Sequence, residues 1–327
     1  MNNKSFCSPR LRTTLHFMTL VMFVMISGCA TQPISQIPDN QTSWQLKVDR
    51  YGHAAAAVKD KIFVFGGSSW GGRLANEIEI IDTQARTSTV TRIKIIPRRY
   101  ARAVSDGKRY IYIVGGVYLG KKASIVPVIE KFDSQTLTVE RITNQITPTR
   151  NPAVVLLHDK IYIAGGRNIM REGPEGYTPV LNIYDIAEDT WTNGADMPKA
   201  VGSRATELNG KMYIAGGYNG KAAINNLMEY DPLQDKWKSI AQMPHKVSAN
   251  SLVGVNNKLF ILGDYTRLNS SHSFDVMKNE WQSEVFDLIP ARHSDAVVVG
   301  DKIYFIGGNV DSRDSVLGHI QILNVGP

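Results

Sequence analysis

Six short runs of β-branched and aromatic residues recur along the 327-residue chain, and each run ends at a glycine. In five copies a second glycine follows, whereas the fifth copy has an aspartate at that place. The pairs are Gly66-Gly67, Gly115-Gly116, Gly165-Gly166, Gly216-Gly217, Gly263-Asp264 and Gly307-Gly308, so that successive first glycines lie 49, 50, 51, 47 and 44 residues apart. A self-similarity near fifty residues predicts an array of structural repeats.

Each repeat divides into four predicted strands, the number that one blade of a β-propeller contains. In the third copy, Ala153–Leu157 and Lys160–Ala164 flank a tight turn and end at the diglycine. Leu181–Asp185 and a fourth strand that begins at Thr190 follow after a longer loop. We therefore expect an all-β fold, a six-bladed β-propeller of four-stranded antiparallel blades. The chain length fits, because closed all-β architectures often run long as one domain.

Two further positions recur at fixed distances from the diglycines. The first is an aromatic or aliphatic residue followed by aspartate, as in Ile81-Asp82, Phe132-Asp133, Tyr184-Asp185, Tyr230-Asp231 and Phe274-Asp275. The second is a tryptophan seven residues later, present as Trp191, Trp237 and Trp281. Together these positions resemble the kelch repeat, over roughly Trp44 to the C-terminus. The resemblance implies a propeller that binds a partner on one rim, whereas the tryptophans are expected to pack inside the blades.

The two ends of the repeat array predict how the ring closes. The sixth repeat supplies a third strand over residues 320–325, and too few residues follow it for a fourth. Ser43-Trp44-Gln45-Leu46 has the pattern of a tryptophan-bearing fourth strand and precedes the first repeat. We expect Trp44 to Val48 to complete the sixth blade, which would remove an exposed sheet edge.

The first 28 residues predict export. Lys4, Arg10 and Arg12 precede an apolar stretch over residues 15–26, which is shorter than the roughly 20 apolar residues of a membrane-spanning helix. Ile26-Ser27-Gly28-Cys29 resembles the bacterial lipobox, in which the cysteine receives a diacylglyceryl thioether, the signal is cut before it, and the new amino group is acylated. We expect residues 1–28 to be a lipoprotein signal peptide, residues 29–43 a tether lipidated at Cys29, and residues 44–327 the propeller. A simple secretory peptide is the alternative.

The lipobox resemblance also implies a location. Ala30 and Thr31 follow the cysteine in place of the aspartate typical of inner-membrane retention. We therefore expect a lipid-anchored protein of the outer membrane that faces the periplasm of a Gram-negative bacterium.

Charge and cysteine content exclude several classes of function. The formal net charge is +7, and the signal peptide holds three basic and no acidic residues, so about +4 is left without a Lys/Arg run. Nucleic-acid binding is therefore not expected. One cysteine is left after cleavage, so no internal disulfide can form. The histidines His53, His245, His272 and His293 are scattered over predicted loops, so we expect no metal site and no cofactor. We expect a monomer.

One rim of the predicted propeller collects two sets of candidate ligand contacts, because first strands begin and second strands end at the same side. The loops after the diglycines carry Trp70, Arg73, Tyr118, Arg167, Asn168, Tyr218, Asn219, Asp264, Tyr265 and Arg267. The approaches to the first strands carry Arg50, Arg99, Arg150 and Arg292. Arginine can hold a carboxylate or phosphate through paired hydrogen bonds. The pattern predicts a binding module for an anionic glycan, peptide or envelope protein, unless the repeated arginines brace neighbouring blades.

Glu207 is the one candidate catalytic residue. It falls in a predicted inner strand, where the other repeats have Ala57, Leu156 or Val298. Exposure to the central channel or pairing with Arg204 would explain it, and so would an acid–base role. A six-bladed exported kelch protein is similar to the bacterial sialic acid mutarotases, which use acidic and basic groups near the channel. This resemblance implies a sugar mutarotase or epimerase as the alternative to a non-enzymatic binding module.

Overall fold

The computed structural model describes residues 44–142, 147–170, 175–283, 285–311 and 315–326. These ranges form 25 strands and one short 3-10 helix over Trp70–Gly72. The expected signal peptide, Cys29 and the tether up to residue 43 lie outside the described residues. Within the ranges above, no helix has the length and apolar character needed to cross a membrane.

Six antiparallel sheets follow one another along the chain, and each sheet is one blade. Blade 1 consists of β1 (Ala54–Val58), β2 (Lys61–Phe65), β3 (Glu77–Asp82) and β4 (Thr87–Lys94). Blade 2 begins with β5 (Arg102–Ser105) and β6 (Tyr110–Val114), continues through a separate hairpin of β7 (Val117–Leu119) and β8 (Ala123–Ile125), and ends with β9 (Ile129–Asp133) and β10 (Thr138–Ile142). Blade 3 consists of β11 (Ala153–Leu157), β12 (Lys160–Ala164), β13 (Leu181–Asp185) and β14 (Thr190–Gly194).

The remaining three blades repeat this order. Blade 4 consists of β15 (Ala205–Leu208), β16 (Lys211–Ala215), β17 (Ile224–Asp231) and β18 (Lys236–Val247). Blade 5 consists of β19 (Ser251–Val255), β20 (Lys258–Leu262), β21 (Ser271–Asp275) and β22 (Glu280–Ser283). Blade 6 has β23 (Asp295–Val299), β24 (Lys302–Asn309) and β25 (Val316–Asn324). The all-β, six-bladed propeller expected from the repeats is therefore confirmed.

The hydrophobic core lies between the blades. Six clusters of buried apolar side chains are present, and each joins one blade to the next around the ring. Between blades 1 and 2, for example, the ring of Phe132 packs against Phe63 and Phe65, with ring centroids 5.4 and 5.5 Å apart. Alternation along each strand places side chains on both faces of the sheet, so one blade contributes to two clusters.

The three repeat tryptophans pack within their blades, as expected. Trp191 lies against Tyr184, Trp237 against Tyr230 and Trp281 against Phe274, with ring centroids 4.9, 5.0 and 4.8 Å apart. Each pair joins the third and fourth strands of one blade across directly opposed positions. Cross-strand aromatic pairs of this kind stabilise a sheet.

The N-terminal end of the described chain closes the ring. The carbonyl of Trp44 accepts a hydrogen bond from the amide of Ile320 (2.9 Å), and the amide of Leu46 donates to the carbonyl of Gly318 (2.8 Å). The chain at residues 44–46 thus lies beside β25 as the fourth strand of blade 6. The pairing is shorter than expected, because the amides of Lys47 and Val48 turn to the carboxylate of Glu79 in blade 1.

Replacing Trp44 by alanine tests this closure. Its side chain is buried (7% exposed) and meets Tyr304 edge-on, with ring centroids 6.1 Å apart. We expect Trp44→Ala to lower the free energy of unfolding by about 3–5 kcal/mol, the usual cost of truncating a buried aromatic residue. Urea denaturation measures this change. Trp70→Ala is the matched control, because Trp70 is 55% exposed and its loss should change stability by less than about 0.5 kcal/mol. Equal effects of both substitutions would contradict closure through Trp44.

Candidate functional site

The diglycines lie where the blades meet most closely. Gly66 and Gly115 have φ angles of +63° and +67°, and a Cβ on either would collide with a backbone carbonyl of the next blade, that of Arg98 or Thr149. Both the left-handed conformation and the close approach require glycine. The loops that follow the second position of each pair form one rim of the propeller, which we call the diglycine rim.

Two buried arginines brace this rim. Arg50 pairs with Glu79 at 3.1 Å and Arg98 pairs with Glu130 at 2.6 Å, and all four side chains are fully buried. Their Nη1 atoms donate to the carbonyls of the first diglycine residues, Gly66 (3.1 Å) and Gly115 (3.0 Å). Burial lowers the pKa of Arg98 to about 10, so its guanidinium is still charged at neutral pH. Such pairs hold because charge and hydrogen bonding are both satisfied.

Arg50 therefore lies outside the candidate site. Of the two roles that the sequence left open for it, bracing is the one its contacts show. The sequence pattern predicted that Arg99 is the counterpart of Arg50 in the second repeat. In the structure, Arg98 is the residue whose contacts match those of Arg50. A shift of one residue separates a buried brace from a rim side chain.

A belt of backbone hydrogen bonds runs around the mouth of the central channel. It joins one residue just before each innermost strand, and we call these the junction residues: Gly52, Tyr100, Asn151, Ser203, Ala249 and His293. The hydrogen bonds run from Gly52 N to His293 O (2.7 Å), Tyr100 N to Gly52 O (2.6 Å), Asn151 N to Tyr100 O (2.9 Å), Ser203 N to Asn151 O (3.2 Å) and His293 N to Ala249 O (2.9 Å).

Most junction residues have a left-handed backbone. Tyr100, Asn151, Ala249 and His293 have φ between +53° and +60°, although none of them is glycine. Such residues are held in this conformation only by their surroundings, and the belt supplies the holding contacts. The sixth step of the belt, from blade 4 to blade 5, differs from the other five. There the carbonyl of Ser203 accepts a hydrogen bond from a side chain, Nη2 of Arg102 in blade 2 (3.0 Å).

Three buried charged residues lie under the belt, and we call them the floor cluster: Arg102, Arg204 and Asp295. Arg204 pairs with Asp295 at 2.7 Å and also donates to the carbonyls of Asn250 (3.0 Å) and Ser294 (2.5 Å). Asp295 in turn accepts from the amide of Ala55 (2.9 Å) in blade 1. The cluster thereby connects blades on opposite sides of the channel.

Above the floor cluster is a cavity of about 480 Å³ that opens on the diglycine rim, and we call it the rim pocket. The central channel lies below the cluster as a separate cavity of about 320 Å³ between the innermost strands. Besides the junction residues, the side chains and glycines that border the rim pocket are Arg99, Arg102, Arg150, Tyr177, Gly202, Arg204, Tyr218, Ser248, Asn250 and Tyr265. Four arginines and four tyrosines thus surround the pocket, and its described lining residues include no carboxylate.

Four of the candidate residues named from the sequence line the rim pocket: Arg99, Arg150, Tyr218 and Tyr265. Arg99 lies over the ring of Tyr100, 5.0 Å from its centroid, and donates to the hydroxyl of Tyr51 at 2.9 Å. Tyr218 meets Tyr177 edge-on, with ring centroids 6.1 Å apart. The pocket wall is therefore built from stacked arginine and tyrosine side chains contributed by several blades.

The other candidates from the loops lie on the rim but outside the pocket lining. Trp70 and Tyr118 are exposed, Arg73 pairs with Glu77 at 3.0 Å, and Arg267 points into solvent. Asn168 is exposed and Asn219 caps a turn through the amides of Lys221 and Ala222. Arg167 is buried against Tyr177, and Arg292 stacks on Tyr265 at 4.1 Å.

Asp264 organises its own loop. It is buried, and Oδ1 accepts a hydrogen bond from the amide of Ser248 (2.9 Å). Its other oxygen, Oδ2, accepts from the hydroxyl of Thr266 (2.8 Å) and the amide of Arg267 (3.2 Å). With these partners in place, the carboxylate has a structural role where other repeats use a second glycine.

Glu207 lies in the channel and not in the rim pocket. Its side chain is exposed, and Oε1 accepts from the amide of Gly210 (2.8 Å) in the following turn. Of the two structural explanations considered from the sequence, exposure to the channel is observed. Pairing with Arg204 was wrong, because that guanidinium pairs with Asp295.

Two histidines from predicted loops lie in the ring under the rim. Burial holds the pKa of His53 well below its ordinary value. Burial also lowers the pKa of His293 to about 4, although its hydrogen bond with Asn309 acts in the opposite direction. Both imidazoles are therefore neutral at physiological pH. Across the described ranges, no cluster of three or more His, Cys, Asp or Glu side chains could hold a metal ion.

Comparison with known proteins finds kelch-repeat relatives. The KLHDC2/KLHL20/DRC7 Kelch-repeats domain family matches residues 34–198 and 131–308. Kelch repeat and BTB domain-containing protein 1 of Vaccinia virus (strain Copenhagen) is 25% identical over 256 residues, which are 75% of this chain and 43% of the viral protein. Kelch-like protein 25 of Xenopus tropicalis is 26% identical over 179 residues, 50% of this chain and 30% of that protein. The chain thus spans less than half the length of these relatives.

A solved structure shares the fold. The structure of YjhT aligns with a TM-score of 0.72 at 13% sequence identity, and the alignment covers 86% of this chain and 99% of YjhT. At this identity the likeness shows the propeller fold alone.

Proposed function

Because the chain belongs to the Kelch-repeat family, we propose that its diglycine rim binds a protein or peptide partner, with an acidic group of the partner entering the rim pocket. The proposal extends the expectation of an anionic partner and favours a polypeptide over a glycan. The observation that carries it is the composition of the pocket, four arginines and four tyrosines without a carboxylate among the described lining residues.

The charge of the pocket favours an anionic group. Arg99 stands at the wall, where its guanidinium is stacked on Tyr100 and only partly buried. A recessed arginine is weakly screened by solvent and can form paired hydrogen bonds with a carboxylate. His293 carries no charge at neutral pH, so the positive charge of the pocket comes from the arginines.

The surface around the pocket favours a polypeptide. Six of the eight large apolar side chains that are exposed in the described chain lie on the loops of the diglycine rim: Trp70, Tyr118, Leu119, Tyr218, Tyr265 and Val310. They come from five different blades, and Tyr218 and Tyr265 among them line the rim pocket. Exposed apolar and aromatic side chains around a charged centre are typical of protein–protein interfaces. Of these six side chains, a small sugar in the pocket would contact Tyr218 and Tyr265 alone, because the other four do not line it.

Glu207 gives no support to the alternative of a sugar mutarotase or epimerase. The channel that holds it is separated from the rim pocket by the floor cluster. Asp295, the carboxylate of the floor cluster, is engaged by Arg204. An acid–base mechanism needs a proton-transfer group within hydrogen-bond reach of the substrate, so we propose a binding module.

Binding of the full chain to an array of acidic peptides tests this function. For the tightest peptide, we expect Arg99→Gln and Tyr218→Ala each to weaken binding at least tenfold, about 1.4 kcal/mol. Lys236→Gln and Leu233→Ala are the matched controls, because both side chains are exposed in blade 4 away from the rim loops. Calorimetric titration measures the affinities.

Two results would contradict the proposal. One is an equal loss of affinity in the control variants, which would place the partner elsewhere. The other is binding of acidic glycans together with no binding to any acidic peptide.

We also propose that Cys29 anchors the protein to the outer membrane through lipid, with the propeller in the periplasm. The support is the lipobox-like Ile26-Ser27-Gly28-Cys29 after a basic and apolar leader, since more than one acyl chain gives stable membrane anchoring. Expression in a Gram-negative host should yield a chain that begins at Cys29 and carries the mass of three acyl chains. Cys29→Ser should abolish the added mass and leave the leader uncleaved, because in this processing the cut follows lipidation of the cysteine. An unmodified mature chain in the wild type would refute lipidation.

A further inference from the structure

Arg102 is the least compensated charge in the floor cluster. It is the first residue of β5, it is 8% exposed, and it borders both the rim pocket and the channel. Its Nη1 donates to the carbonyl of Ala101 (2.8 Å) and its Nη2 to that of Ser203 (3.0 Å). Its Nε is buried without a hydrogen-bond partner in the structure.

Three other buried arginines of the ring each have a carboxylate in contact. Arg50, Arg98 and Arg204 pair with carboxylates at 3.1, 2.6 and 2.7 Å. For Arg102, the ion pairs found among the described residues include none. A buried charge without a paired counter-ion destabilises the fold and persists where it serves another purpose.

Asp295 is not available as that counter-ion. Its Oδ1 receives Arg204 and the amide of Ala296, and its Oδ2 receives the amide of Ala55. The negative charge of Asp295 raises the pKa of Arg102, but burial and the positive charge of Arg204 outweigh it. Together they hold the pKa of Arg102 well below its ordinary value. Two guanidinium groups and one carboxylate leave the floor cluster with one uncompensated positive charge.

We propose that Arg102 is the residue that recognises the acidic group of the ligand, and that a single carboxylate entering the rim pocket supplies its missing counter-ion. This inference rests on the proposed binding function and assigns its specificity to one side chain. A carboxylate fits better than a phosphate dianion, because the cluster has a single positive charge to neutralise. Arg99 and Arg150, the pocket arginines outside the floor cluster, then contact the outer part of the partner.

The proposal gives different roles to the two arginines of the floor cluster: Arg102 binds the ligand and Arg204 braces the ring. Removing Arg204 breaks an ion pair and hydrogen bonds that connect blades 4, 5 and 6, so it should destabilise the ring. Removing the charge of Arg102 takes away a buried cation without a close counter-ion. Arg102→Met also removes the hydrogen bonds to Ala101 and Ser203. We therefore expect it to lose anion recognition at a smaller cost in stability than Arg204→Met, which breaks an ion pair as well.

Thermal unfolding of the full chain in sodium acetate and in sodium chloride at equal ionic strength tests this role, with acetate as the carboxylate probe. Acetate also affects protein stability in a general way, so the compared quantity is the acetate-minus-chloride increment in Tm. We expect an increment in the wild type that exceeds that of Arg102→Met by about 2 °C or more. Arg102→Lys, which keeps the charge, should retain part of the increment. Sodium phosphate should give a smaller variant-dependent increment than acetate.

The outcomes distinguish this inference from the proposed function. Equal increments in the wild type and Arg102→Met would overturn the role of Arg102. So would a fall in Tm in chloride as large as that of Arg204→Met, because Arg102 would then be a brace. In either case, loss of peptide binding in Arg99→Gln and Tyr218→Ala would still support a binding rim, whereas unchanged binding in those variants would reject the rim itself.

Discussion

Backbone hydrogen bonds between the junction residues of neighbouring blades determine where the side chains at the channel mouth lie. The belt fixes five of six blade-to-blade steps at N–O distances of 2.6 to 3.2 Å. It holds non-glycine residues such as Tyr100 and His293 in a left-handed conformation, which costs about 1–3 kcal/mol at each position. The residue before a junction then faces the rim, and the residues after it enter the channel. The blades supply the walls, but the belt sets the positions of the arginines.

The charges of the ring fall into two groups with different environments. Arg50 and Arg98 are enclosed between blades with a glutamate each, and they hold the first glycines of blades 1 and 2 against their neighbours. Arg99, next to Arg98 in the chain, points to the pocket because successive residues of an extended chain face opposite sides. Structural and binding arginines are therefore adjacent in sequence, and only their contacts tell them apart.

The periodic features of the sequence predicted the architecture well. Five diglycines with Gly263-Asp264, the aromatic–aspartate pairs and the position of Trp44 predicted six blades and the closed ring, because these features act locally within one repeat. The candidate site was harder to predict. Side chains from several blades form it, and the ion pair between Arg204 and Asp295 joins residues 91 apart in sequence. Asp264 has the residue type of a ligand contact, yet its oxygens accept hydrogen bonds from Ser248 and from Thr266 of its own loop.

The central claim is that an acidic group of a partner occupies the rim pocket above Arg102. A crystal structure of the full chain bound to its tightest acidic peptide tests this claim most directly. We expect a peptide carboxylate at about 2.7–2.9 Å from a guanidinium nitrogen of Arg102, with the rest of the peptide across Tyr218 and Tyr265. A peptide bound at the turns that expose Leu233 and Met277, with the rim pocket empty, would contradict the claim.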